Sequence, residues 1–492
     1  MLSGEVKGFI VSDTQRQLDL AMLPYDLWGS IAHTIMLHRT KIIDKGKAKS
    51  IIKALKEIEA RWNEGRFQID PERGAQLTLE KEVVAIAGEE AGLSMHTARS
   101  RNDQVMVTEL LYLRERALEL HSLILDLLDP LAKLGIKLAE TVMPGYTHMQ
   151  PGKPTTIGHW CLAHYDSLVR GAEKLQFVVD QFDRNPLGSV ESFGTSWPID
   201  RRITTDLLGF KDTWEVTLDA ISNRGVFQHE LLGACSLLAL SISRIAHDLM
   251  LFSTHEYGMV EFGNSVAQRL HPITGSSVMA QKRNPDAIEL LRAFATQMGG
   301  LQQSTYGLLS GTPSGYNRDG REVKEYIASG ISKTKTALQV LGKVFSEISF
   351  NEERMLQMVR SNYSLTTDLA DYLAQLSNEP YRIVYKIVGR TVDQLMESGQ
   401  SLEEIQIEKL NAIAAEFKIR FAISQAELIS VIDPHKAIQR RKSIGSPNKE
   451  IVIDGFNRRE RKKSDNRNWL KAHLERIASA RTKTEQAINE IN

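Results

Sequence analysis

The sequence predicts a nearly all-α fold. Helical spacing of apolar residues dominates the 492-residue chain, clear strand alternation is scarce, and the turn-forming residues gather in a few polar segments between long periodic ones. At roughly 100–200 residues per domain, the length allows two to four domains with a large core. A hydrophobic content of 42% fits a globular chain and excludes general disorder. The 61 basic and 61 acidic side chains cancel, so no global charge draws the chain toward nucleic acid or an anionic membrane. Cys161 and Cys235 are too few for a disulfide framework or an all-cysteine zinc site. The opening MLSGEVKGFI lacks a basic stretch followed by a long apolar run, so no secretory leader and a cytoplasmic location are expected.

Soft boundaries fall near Asp103 and Arg360. They divide the chain into an N-terminal helical domain (1–103), a central long-helix bundle (104–360) and a C-terminal helical domain with a basic tail (361–492). Within the bundle, residues 104–140 place apolar side chains at three- and four-residue steps, with Pro130 expected to kink or break the helix. Residues 225–258, 286–309 and 329–348 read the same way. The most apolar stretch, 231–252, is interrupted by Ser241, Ser243, Arg244, His247 and Asp248, which suits a core helix better than a bilayer span. Helices this long and apolar on two faces call for other subunits to cover the second face. Beyond Pro434 the chain turns polar and basic, and a solvated loop followed by a surface helix is expected. No internal repeat or low-complexity tract stands out along the chain. Trp469 and Phe456 supply too little aromatic interleaving for nucleic-acid binding.

Chemistry is expected in the turn-rich segments 144–154, 185–198, 271–285 and 310–320, where a rigid helical scaffold presents its loops. In GSSVMAQKRNPD (275–286), two hydroxyls follow a glycine, and two cations and an amide precede a helix start marked by Pro285 or Asp286. Such a loop holds a carboxylate between Lys282, Asn284 and backbone donors, or simply caps a helix. PGYTHMQP (144–151) sets a hydroxyl donor beside an imidazole able to titrate near neutrality. HTARSRNDQ (96–104) heads a long helix with anion donors, or with ordinary caps and solvated arginines. Phosphate-binding, dinucleotide-binding and nucleophile-elbow patterns are missing, as are HExxH and Cys/His clusters, so neither a cofactor nor a metal is expected.

Together these loops resemble the signature regions of the fumarase/aspartase superfamily, and within it the argininosuccinate lyase family. GSSVMAQKRNP matches the superfamily pattern Gly-Ser-Ser-x-Met-Pro-x-Lys-x-Asn-Pro except for Ala280. HTARSRNDQ is similar to the family's HTGRSRNDQ with Ala98 for glycine, and PGYTHMQ to PGYTHLQ. YDLWGSIAH, NPLGS, WPIDR and TTDLADYL extend the likeness over about residues 10–450. The resemblance implies a three-domain helical subunit, a homotetramer with a twenty-helix core, and active sites that each take loops from three subunits. It implies anti elimination of an N-succinyl amine to fumarate and free amine, argininosuccinate giving arginine. By resemblance Ser276 is the base, activated by Lys282 and backbone N–H groups, and His148 pairs with Glu289 to assist proton transfer. By the same resemblance Lys282 and Asn284 hold the reacting carboxylate, and Ser277 and Met279 of the same loop are further substrate contacts. Ser100, Arg101, Asn102, Thr147 and Gln150 place the succinyl half.

The amine half departs from the family. The segment Tyr-Asn-Lys-Asp-Leu-Gln-Glu-Asp-Lys reads here YNRDGREVK, keeping Tyr316 and Lys324 but bringing Arg321 for glutamine and Val323 for aspartate. Asp19 stands at a family contact, whereas Gln15 replaces a usual serine. A guanidinium at 321 facing that of argininosuccinate would repel it and suit a carboxylate instead. Two alternatives follow: the same elimination on another N-succinyl amino acid or an aminopolycarboxylate such as ethylenediamine-disuccinate, or a non-catalytic structural homologue like those of the eye lens.

Overall fold

The computed structural model describes residues 3–492; Met1 and Leu2, which begin the segment read for a leader, lie outside the described residues. Nineteen α-helices carry the described chain. The N-terminal part contains α1 (Gly4–Ile10), α2 (Asp13–Arg39), α3 (Lys45–Asn63), α4 (Gly74–Ala87) and α5 (Glu89–Ser94). The long helices α6 (Arg101–Lys137) and α7 (Ile157–Phe182) follow, then the short α8 (Arg201–Leu207) and α9 (Thr217–Ser222), then α10 (Val226–Phe252), α11 (Asp286–Leu309) and α12 (Asp319–Glu347). A smaller C-terminal group comprises α13 (Glu352–Arg360), α14 (Thr366–Ser377), α15 (Tyr381–Glu397), α16 (Ile407–Glu416), α17 (Gln425–Val431) and α18 (Pro434–Arg440), and α19 (Lys449–Ile491) closes the chain.

Helix α10 is the axis of the bundle, packed against α7, α11 and α12, while α6 packs against α2, α7 and α12. Leu231, Leu238, Ile242, Ile245 and Leu249 of α10 are completely buried, each contributing about 1.5–3 kcal/mol of apolar transfer. The apolar stretch around 231–252 is therefore a core helix. Its other face, with Leu237 and Leu240, is exposed on the single subunit, as are Leu290 and Tyr306 of α11 and Phe177 of α7. One apolar cluster joins the N-terminal helices, the bundle and α19; a second lies within 359–438, joined by Val142.

Three helices add to or correct the expectations. Pro130 lies inside a continuous α6 and does not break it; the carbonyl it strands belongs to Asp126 on the exposed side, where water can replace the lost bond. Helix α12 starts ten residues before the expected 329, at a polar and glycine-bearing turn that reads as loop. Helix α19 is exposed on one side only and buries a seam on the other: Lys463, Leu470, Ile477, Thr484 and Ile491 fall every seventh residue, with Asn466, His473, Ala480 and Ala487 between them, all buried. Because four of these nine seam residues are polar, hydrophobic periodicity does not reveal it.

Four two-residue ladders pin the loops. β1 (Val142–Met143) pairs with β4 (Thr155–Thr156), and between them β2 (Tyr146–Thr147) pairs with β3 (Gln150–Pro151), both antiparallel. β5 (Arg184–Asn185) runs parallel to β6 (Asp212–Thr213), and β7 (Val260–Glu261) antiparallel to β8 (Ser349–Phe350).

Candidate active site

Ser100 caps α6. Its Oγ accepts the Asn102 N–H at 3.2 Å while its own N–H donates to Asp103 Oδ1 at 3.0 Å, a reciprocal cap that leaves Arg101 exposed at the helix start. Asp103 Oδ2 also accepts the N–H groups of Gly188 and Val190, each at 2.9 Å, which ties this loop to the segment after α7. Burial pushes the Asp103 carboxyl up to about 6, against the pull of those donors. Behind the loop, His33 Nε2 lies 2.9 Å from Thr97 O, and burial pushes this imidazole down to about 3, so it is neutral and can donate there. Arg99 is buried and donates to Ser30 Oγ at 3.0 Å, beside a buried Asp26 that accepts from Gln104 at 2.8 Å.

The loop contains one strained residue. Ala98 has φ 57°, the left-handed region that disfavours a Cβ. Ala98→Gly is expected to raise stability by about 0.5–1 kcal/mol, read as a higher denaturant midpoint; a lower midpoint would mean that the buried methyl contributes more than the strain costs.

The second loop is a β-hairpin whose two-residue turn is His148-Met149, with φ 54° and 61°. Positive φ at both turn positions is the type I′ pattern, in which Asn-Gly is usual. Holding two bulky residues there costs energy and presents the imidazole at the tip, where Thr147, His148 and Gln150 are exposed. The base of the hairpin is clamped to the C-terminal group. Lys153 Nζ donates to Asp371 at 2.9 Å, and Arg441 reaches both oxygens of Asp368 at 2.9 and 2.6 Å and Pro154 O at 2.6 Å. Spacing in the sequence does not reveal these anchors, because the partners stand 73 to 287 positions apart.

The third loop places Ser276 with its Oγ accepting two backbone N–H groups, from Val278 at 3.2 Å and Met279 at 3.0 Å. The same two donors would stabilise an alkoxide at that atom. Gly275 is required: a Cβ there would lie 2.7 Å from His271 O and 2.8 Å from two backbone nitrogens. Asn284 folds the loop back, its N–H donating to Thr274 O at 2.8 Å and its amide to Gly275 O at 3.4 Å. Arg283 anchors it through Ala267 O at 2.8 Å and Phe262 O. Ser277, Met279 and Lys282 are exposed, as is Glu289 in the first turn of α11, where it pairs with Arg292 at 3.5 Å rather than with His148. Among the described residues no hydrogen bond or ion pair joins any two of the three loops.

The residues read for an amine half do meet. Lys324 is buried and pairs with Asp19, with Glu109 Oε1 3.8 Å away. Arg224 lies 3.5 Å from Glu109 and sits over the Tyr316 ring at 5.3 Å. Gln15, one turn before Asp19 on α2, is buried with both side-chain polar atoms unpartnered. Arg321 instead donates to Ile10 O at 2.7 Å, at the end of α1.

Residues 14–300 match a family model described as lyase, and residues 363–439 one described as argininosuccinate lyase C-terminal. The chain is 36% identical to the argininosuccinate lyase of Methanothermobacter thermautotrophicus over 87% of its length and 90% of that protein's. It is 34% identical to that of Crocosphaera subtropica (89% and 92%) and 35% to that of Thermus thermophilus (88% and 91%). Its fold is similar to that of EDDS lyase crystallised with formate, at TM-score 0.86 and 24% identity, covering 99% of this chain and 95% of the other. A fumarate lyase from Mesorhizobium sp. BNC1 aligns at TM-score 0.72 and 17% identity, over 93% and 100%.

Proposed function

The chain belongs to the argininosuccinate lyase family, and from that premise we propose that it is a carbon–nitrogen lyase that splits argininosuccinate into arginine and fumarate by anti elimination. The observation that carries this is Ser276, a serine whose Oγ receives two N–H donors in a loop that also carries Lys282 and Asn284. The difficulty of the reaction is a carbon acid beside a carboxylate, whose deprotonation puts two negative charges on one group. Ser276 as alkoxide takes that proton, the Val278 and Met279 N–H groups and Lys282 having lowered the cost of its charge. Lys282 and Asn284, with Ser277 and Met279 beside them, hold the reacting carboxylate as the charge develops. The electron pair then forms the C=C bond while the C–N bond breaks and the amine leaves with a proton.

Ser100, Arg101, Asn102, Thr147 and Gln150 grip the succinyl half, and His148 with Glu289 supports proton transfer. Asp19, Tyr316 and Lys324 form the amine side, with Arg321 at its edge and turned to Ile10 O. No hydrogen bond or ion pair among the described residues joins the three loops, which supports a site assembled between copies, as a homotetramer in which each site draws loops from three subunits. Exposed Leu237, Leu240, Leu290 and Tyr306 are the surface such an assembly would cover. We place the enzyme in the cytoplasm.

Purified protein given argininosuccinate should release fumarate, followed by its ultraviolet absorbance. No turnover from an intact tetramer, with amines adding to fumarate in the reverse direction, would move the assignment to another N-succinyl amine. Arg321 bears on that choice. With its guanidinium on Ile10 O, Arg321→Gln should leave kcat/KM for argininosuccinate within about threefold of wild type. A gain of about tenfold or more would mean that Arg321 reaches the amine half and repels it.

A further inference from the structure

Helix α19 lies beyond the residues matched by either family model, and its polar seam leads to the Ser100 loop through a continuous set of contacts. The centre of that set is Asp183, whose side chain is fully buried just after α7. Arg476 of α19 donates to Asp183 Oδ2, with His473 Nδ1 3.8 Å from the same oxygen, while Arg114 of α6 donates to Oδ1 at 3.3 Å. The Asp183 carbonyl accepts the N–H groups of Lys211 and Asp212 at 3.1 and 3.3 Å, which starts the β5–β6 pairing. Asn185 then turns the chain, its Oδ1 accepting from Leu187 N at 3.0 Å and its amide donating to Thr204 at 2.8 Å. Gly188 and Val190 follow at once, and their N–H groups hold Asp103, the partner of Ser100.

A second strand of contacts runs beside the first. Gly209 O accepts from Arg114 at 2.8 Å and from Arg476 Nε at 3.2 Å. Gly209 has φ +64° and a Cβ there would lie 2.8 Å from Ala480 of α19, so the turn is shaped to the helix. Thr484 donates to Leu207 O at 2.9 Å and accepts from Trp28 Nε1 at 3.2 Å.

We infer that α19 is a brace for the anion-binding loop, and that Arg476 is a positioning residue which sets Ser100, Arg101 and Asn102 through Asp183, the 183–190 segment and Asp103. Arg476 touches no reacting atom. It fixes where Gly188 and Val190 present their N–H groups, and hence the orientation of the Asp103 carboxylate that locks the Ser100 cap. The inference rests on the proposed role of that loop only for its kinetic consequence.

The test compares full-length wild type, Arg476→Ala, Arg476→Lys and Arg481→Ala. Arg481 lies on the same helix, over the Trp28 ring at 4.2 Å and 3.0 Å from Glu115, without contacting Asp183. Arg476→Ala should raise KM by about fivefold or more with kcat within about twofold, since a displaced loop weakens binding in ground and transition states alike. Arg476→Lys should restore most of KM, and Arg481→Ala should not change it. Hydrogen exchange should quicken at Gly188, Val190 and Ser100 in Arg476→Ala alone. Unchanged exchange at those amides overturns the brace, as does an equal KM shift in Arg481→Ala or a loss confined to kcat. A wild type that releases no fumarate would count against the functional reading instead, and exchange would still decide the brace.

Discussion

Ser276→Ala should lower turnover by about three to four powers of ten while fumarate still binds, the loss expected when a positioned general base is removed. The substituted side chain sits in a solvent-reached loop, and the two N–H groups it accepts can turn to water, so the denaturation midpoint should stay at the wild-type value. Binding should persist because the proposed carboxylate contacts, Lys282, Asn284 and the Ser100 loop, are left in place. Single-turnover kinetics with argininosuccinate, alongside fumarate titration, separate the two effects. Turnover within tenfold of wild type would remove serine from the mechanism.

Asp183→Ala should cost about 3–5 kcal/mol, because it leaves the Arg114 guanidinium buried without a counter-charge. Arg114 retains its bonds to Leu208 O and Gly209 O, but those carbonyls neutralise no charge. The contrast is Asp371→Ala, which breaks a half-exposed pair with Lys153 and should cost about 0–1 kcal/mol. Denaturant midpoints at one fixed protein concentration compare the two, since an assembled protein's stability depends on concentration. Equal losses would mean that Asp183 is hydrated and that α19 does not close over it.

The two predictions differ in what a reader of the sequence could have anticipated. Ser276 stands in a short contiguous motif with local geometry: Val278 and Met279, its N–H donors, are two and three residues away. Ser100 and Asp103 likewise form a cap within four residues, a pattern set by the chain itself. Asp183 looks like any acid at a helix end until α6 and α19 converge on it, bringing Arg114 from 69 and Arg476 from 293 positions away. The same holds for Lys153, which finds Asp371 across 218 positions. Such pairings follow from how helices pack, and spacing in one sequence does not encode them.

Helix α7 is instructive in another way. It is central to the bundle yet was not singled out among the long helices. In α19, lysine, asparagine, histidine and threonine occupy buried seam positions, so the heptad exists in burial but not in hydropathy. Arg321 shows the opposite case: its charge is plain in the sequence, but the direction of a long side chain is set by its neighbours, and here Ile10 O holds it.

From the sequence alone came the helical class, the family and the three loops, because apolar periodicity, caps and short motifs act over a few residues. Tertiary structure decided which charges are buried and paired, how the hairpin and the Ser100 loop are anchored, and where α19 lies. Those depend on contacts between distant segments, whose energies arise only when burial removes the water that would otherwise satisfy each group.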